Sequence, residues 1–110
     1  MDLELETITM QLIVKSGEAK SKSMEAIESA KKGDFVKARK MLKEADEFLT
    51  QAHESQADII QEEADGNIQD ISILMVHAQD HLMNAITVNG MAEEFVELYE
   101  VIHYKLGKEL

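Results

Sequence analysis

A chain of 110 residues is the length of one domain with a modest core. Its net charge of −11, from 22 acidic against 11 basic side chains interspersed along the chain, makes nucleic acid and anionic membrane surfaces poor partners and favours a partner with a basic patch. Cysteine is absent, which excludes a disulfide framework, a thiol nucleophile and the Cys-based zinc sites, while the lack of a basic leader or a long apolar run points to a soluble, cytoplasmic protein with no membrane insertion.

There is no proline, and the five glycines leave continuous helix possible almost everywhere. Gly33 and Gly66 stand just before Asp34 and Asn67, so each pair reads as the end of one helix followed by the cap of the next. Helices are expected over about 3–32, 34–65 and 68–106, packed as an all-α, antiparallel three-helix bundle within a single domain of residues 1–110. In the first, Leu5, Ile8, Leu12, Ala19, Ala26 and Ala30 mark the inner line, and the small residues of "SGEAKSKSMEA" around Gly17 invite close approach of another backbone. In the second, Ala38, Met41, Ala45, Phe48, Ala52 and Ile59 alternate at three and four, a coiled-coil-like seam with Lys37, Arg39, Lys40 and Lys43 outside it.

The third segment is apolar around most of its circumference, with Val76, Met83, Met91, Phe95, Leu98 and Ile102 among its residues. Two partner helices in a small bundle cannot cover it, so a closed homo-oligomer is expected. Met75, Met83 and Met91 read as core filler. His53 and His103 read as surface residues, His103 with Lys105 and Lys108 suiting a helix C-terminus.

Within this segment "MVHAQDHLMNAI" sets His77, Asp80, His81 and Asn84 at i, i+3, i+4 and i+7, a polar stripe along one flank, with Gln79 pointing elsewhere. Burying such groups costs a few kcal/mol each unless all are partnered, so the stripe is a satisfied interface layer or a working site.

"LMVHAQDHLMNAI", with "SGEAKSKSMEAIESAKKGDF", "ARKMLKEADEFLTQAHESQADIIQEEA" and "AEEFVELYE", resembles the enzyme IIA component of the lactose/cellobiose class of the bacterial sugar phosphotransferase system over nearly the whole chain. The resemblance implies a homotrimer of three-helix protomers and a phosphoryl relay. His77 would accept a phosphoryl group from the phosphohistidine of the carrier HPr and pass it to a cysteine of the IIB component, serving uptake of a β-linked disaccharide. Histidine suits that task because a neutral imidazole is nucleophilic near neutral pH and its P–N bond is readily broken again. His81 would support it by hydrogen bonding. Asp80 would meet its two symmetry copies around a structural Mg²⁺ or similar divalent cation on the trimer axis, since three converging carboxylates repel one another without a cation or protons.

Two rival readings come from other classes. A helical metal-binding protein could chelate through His77, Asp80 and His81, and "EVIH" at 100–103 has the spacing of di-iron bundles, although such sites need a second Glu-x-x-His unit that this chain lacks. A coiled-coil scaffold would explain the second seam and leave the polar stripe without a purpose. Asn89-Gly90 departs from the resemblance and is expected to kink or weaken the third helix, because glycine inside a helix costs about 1 kcal/mol relative to alanine.

Overall fold

The computed structural model describes the backbone of residues 2–109 and the side chains of residues 2–107, so the side chain of Lys108 lies outside the described residues. Three helices, α1 (Leu3–Lys31), α2 (Phe35–Ala64) and α3 (Ile73–Glu109), run up, down and up in a rod of 63 × 18 × 16 Å. The antiparallel three-helix bundle is the architecture expected from the sequence.

The turns form where the glycines stand. Gly33 and Gly66 have φ of 79° and 78°, the left-handed conformation that closes a helix. At the first, the N–H groups of Gly33 and Asp34 donate to the carbonyls of Ala30 and Ser29, and the Asp34 carboxylate then accepts from the Lys37 N–H at 3.1 Å. One aspartate thus ends α1 and starts α2, which makes this connection short.

The second connection differs from the sequence expectation: Asn67 does not cap α3. Its N–H donates to the Glu62 carbonyl and its side-chain amide to the Glu62 carboxylate at 3.0 Å, so both are engaged in finishing α2. Ile68 then packs against the core, and α3 begins only at Ile73, with the Ser72 hydroxyl accepting from the Met75 N–H at 3.2 Å.

The interior is a heptad seam in all three helices. In α1 the buried residues are Leu5, Thr9, Leu12, Ser16, Ala19, Ser23, Ala26 and Ala30, alternating by four and three, with Ser29 also buried. The hydrophobic line drawn from the sequence missed Thr9, Ser16 and Ser23, which recur every seven residues and take the places of larger apolar side chains. They can be buried because a hydroxyl can bond to its own helix: Thr9 donates to the Leu5 carbonyl at 2.7 Å and Ser23 to that of Ala19 at 2.8 Å. The Ser16 hydroxyl is buried with no hydrogen-bond partner among the described residues.

Facing them, α2 buries Ala38, Met41, Ala45, Ala52, Ser55 and Ile59, with Leu42 also buried and Phe48 half-buried, while α3 buries Met75, Ala78, Leu82, Ala85, Asn89, Ala92 and Val96. Alanine every seven residues on two helices against small residues on the third lets the backbones approach closely. Two core clusters result, one around Leu12, Ile59 and Leu82 and the other around Ala30, Met41 and Val96.

Asn89-Gly90 does not interrupt α3, which is assigned α-helical without a break from 73 to 109. Asn89 faces inward and donates to the Ser23 hydroxyl at 3.1 Å, a buried link between α3 and α1 that compensates its weak helix propensity. Gly90 faces out, with nothing within 4 Å of where a Cβ would stand.

Candidate functional site

His77 stands four residues into α3, in the half of the bundle where α3 lies beside the start of α1 and the end of α2. Packing fixes its direction. Met75, Ala78 and Leu82 turn inward on the heptad seam, so the intervening His77 and Asp80 turn out, together with Asn84; His81 is half-buried beside them. The polar stripe read from the sequence is therefore a solvent-facing flank of a helix rather than an internal layer within the protomer.

The two imidazoles touch. Their Nε2 atoms are 3.0 Å apart, the ring centroids are 4.4 Å apart, and the planes stand at 88°. A hydrogen bond between two Nε2 atoms requires one ring to carry its proton there and the other to offer a lone pair. Where His81 donates, His77 carries its proton on Nδ1 and its Nε2 is the electron-rich atom.

Gln79 points away from this flank, accepting from the Gln56 side chain of α2 at 2.8 Å. Gln56 was not singled out from the sequence, and no local signal could have done so, since the two residues are separated by most of a loop and two helix ends. From the sequence the cap of the third helix is expected at Asn67; a serine three residues before Met75, at the start of an apolar run, is the local signal that marks Ser72 instead. Met75 is core, as expected; Met83 and Met91 are each 55% exposed and are not core filler of the protomer. His53 and His103 are exposed, as expected of surface residues, and His103 also packs edge-on against Phe35 at 5.4 Å.

Among the described residues no group of three or more His, Cys, Asp or Glu side chains converges to hold a metal ion. The three-ligand chelate through His77, Asp80 and His81 therefore does not form within one protomer: Asp80 adds no third donor to the histidine pair.

The charges are less interspersed in space than along the chain. Between Lys43 and Lys105 the sequence has no Lys or Arg. The end bearing His77 collects Glu4 and Glu6 from α1, Glu54, Asp58, Glu62 and Glu63 from α2, and Asp65, Asp70 and Asp80 from the connection and α3. Lys15, the first basic residue of α1, lies over the Phe48 ring of α2 with its ammonium 5.6 Å from the centroid. No helix among the described residues is long and apolar enough to cross a membrane.

The outer flank of this helical rod carries two imidazoles in contact, His77 exposed and His81 half-buried, among carboxylates from all three helices. The chain belongs to the family of lactose/cellobiose-specific IIA subunits of the phosphotransferase system, whose model matches residues 7–100. It is 49% identical over 110 residues to the lichenan-specific phosphotransferase enzyme IIA component of Bacillus subtilis, with all of both chains covered. The crystal structure of the cellobiose-specific enzyme IIA from Bacillus anthracis superposes with a TM-score of 0.89 at 46% identity, covering 96% of each chain. A solution structure of the IIA(Chitobiose)–HPr complex of the Escherichia coli phosphotransferase system contains a chain matching at a TM-score of 0.80 and 35% identity, covering 93% of this chain and 99% of that one. The family resemblance read from the sequence is borne out, and the protein is a component of a sugar phosphotransferase system.

Proposed function

We propose that His77 is the phosphoryl carrier, loaded by phospho-HPr and unloaded onto a cysteine of the IIB component, in the uptake of a β-linked disaccharide. The observation that carries this reading is the exposed His77 side chain, whose Nε2 faces the Nε2 of His81 at 3.0 Å. In the loading step the His77 Nε2 lone pair attacks phosphorus, the donor's P–N bond breaks, and the donor imidazole keeps that electron pair. The His81 N–H, released from nitrogen, is then placed to donate to a phosphoryl oxygen.

The late start of α3 supports the same assignment. A helix side chain leans toward the N-terminus, so a phosphoryl group on His77 would lie toward the first turn, where the helix dipole favours an anion. That partial charge replaces the lysine or arginine the surroundings lack. The carboxylates nearby repel a phosphoryl dianion and attract a basic partner, which suits a group held briefly and passed on. HPr is the donor proposed here because a matched relative forms a complex with it.

The protein acts as a homotrimer in this reading. Val76 and Met83 flank Asp80 on the outward line of α3 and are each 55% exposed, and Met91, Phe95, Leu98 and Ile102 continue the apolar surface. Among the described residues no acidic group joins Asp80 to complete an ion site, so its carboxylate fits a Mg²⁺ or similar hard cation when symmetry copies bring further oxygens. Such an ion would neutralise the converging carboxylates and hold the assembly together, leaving the relay to the histidines.

Incubation with phosphoenolpyruvate, enzyme I and HPr should add one acid-labile phosphoryl group, seen by mass spectrometry. His77→Ala should abolish it and His81→Ala should slow it. A label that survives His77→Ala sinks the assignment. Sedimentation should give three chains per particle, with Met83→Glu reverting it to monomer.

A further inference from the structure

We propose that His77 and His81 together form a bidentate site for a late first-row divalent metal ion, Ni²⁺, Cu²⁺ or Zn²⁺, and that occupancy of this site blocks loading of the phosphoryl group. The second half of the proposal rests on the relay reading above; the first stands on geometry alone.

Two cis ligands about 2.0–2.1 Å from one ion lie roughly 2.9 Å apart at a right angle and roughly 3.4 Å apart at the tetrahedral angle. The two Nε2 atoms are already 3.0 Å apart, within that bite, on a rigid helix that needs no rearrangement to bring them together. Histidines at i and i+4 on one helix face are a recurrent chelating pair. Imidazole selects these ions over Mg²⁺, which requires oxygen ligands. His77 is open to solvent, so water can fill the remaining coordination positions, and the surrounding carboxylates raise the local concentration of divalent cations. This two-nitrogen site is separate from any ion held by Asp80 carboxylates across subunits.

The exchange balances simply. The proton on Nε2 of one ring moves to Nδ1 of the same ring through solvent. The ion then accepts a lone pair from each Nε2, no proton is lost to bulk on balance, and no group changes oxidation state. The lone pair that would attack phosphorus is now bound to the metal. Phosphorylation and metal binding therefore compete for the same lone pair.

The test is a calorimetric titration of the full chain with Ni²⁺ in a non-chelating buffer containing Mg²⁺. One ion per chain is expected. Affinity should fall by at least about tenfold, the size that loss of a metal-orienting group gives, in His77→Ala and separately in His81→Ala, and stay unchanged in His53→Ala and His103→Ala. His77 is exposed and His81 half-buried, and both substitutions introduce the best helix former, so folding is preserved. The melting temperature of the wild-type chain should rise with Ni²⁺ and that of either site variant should not. Transfer from isolated phospho-HPr should stop when the chain is preloaded with Ni²⁺ and resume with a chelator. Undiminished Ni²⁺ affinity in His81→Ala, or its loss in His103→Ala, overturns the site. Binding that follows these variants in a chain that takes no phosphoryl group leaves the metal site standing and removes the relay. Normal phosphoryl uptake with no Ni²⁺ binding does the reverse.

Discussion

The two ends of the rod are built from the same heptad plan and held by different chemistry. At the hairpin end, near Gly33, α3 is tied to its neighbours by an ion pair between Arg39 and Glu100, by the His103 ring edge-on against Phe35, and by the buried bond from Asn89 to Ser23. At the other end the polar tie between α2 and α3 is the neutral Gln56–Gln79 pair, the core depends on Leu5, Leu12, Ile59 and Leu82, and lysine and arginine are missing. The contrast lies in how α3 is held at each end. Among the described residues the ion pair of α3 lies at the hairpin end, and the end carrying His77 has apolar packing inside and carboxylates without a lysine or arginine partner outside.

That comparison can be broken at its strongest point by Leu82→Ala. Leu82 is fully buried in the cluster beneath the histidines, so its truncation should cost about 2–5 kcal/mol, seen as a lower urea midpoint with the slope unchanged. A loss below 1 kcal/mol would mean that this end does not rest on its apolar core.

Smaller effects sharpen the contrast. Gly90→Ala should stabilise the protein by about 1 kcal/mol, because the added methyl meets nothing within 4 Å and glycine is the poorer helix former; a lower melting temperature would instead reveal a close approach to this face. Gln56→Ala removes a half-buried neutral hydrogen bond and should cost about 1 kcal/mol, with phosphoryl acceptance by His77 altered more than in Asn89→Ala, which loses a comparable bond far from the site. Arg39→Ala breaks a pair whose side chains are 48% and 38% exposed, so its cost should be at most about 1 kcal/mol and should shrink further with added salt.

Much of the architecture was legible because its signals are local. A glycine before an aspartate marked the first turn, the three-and-four spacing marked the α2 seam, and the i, i+3, i+4 run placed His77, Asp80 and His81 on one flank. Where the reading went astray, a distant partner had decided the matter. Thr9, Ser16 and Ser23 were left off the apolar line of α1, and alanines on the two other helices are packed against them. Asn67 looked free to cap α3 and is held by Glu62. Met83 and Met91 looked like core because hydrophobicity does not say which apolar side chains a protomer has room to cover.

By itself the sequence determined the helical class, the division into three helical segments, the two glycine-closed turns and the presence of a histidine pair on one helix face, all consequences of interactions within a turn or two of backbone. Only the tertiary structure decided that α3 starts at Ile73, that Asn89 is a buried link to Ser23 rather than a break, and that the pair's Nε2 atoms meet on an acidic, solvent-facing end. The physical reason is range: helix geometry is set by neighbours along the chain, whereas burial, hydrogen-bond satisfaction and the surrounding field depend on residues brought close only by packing.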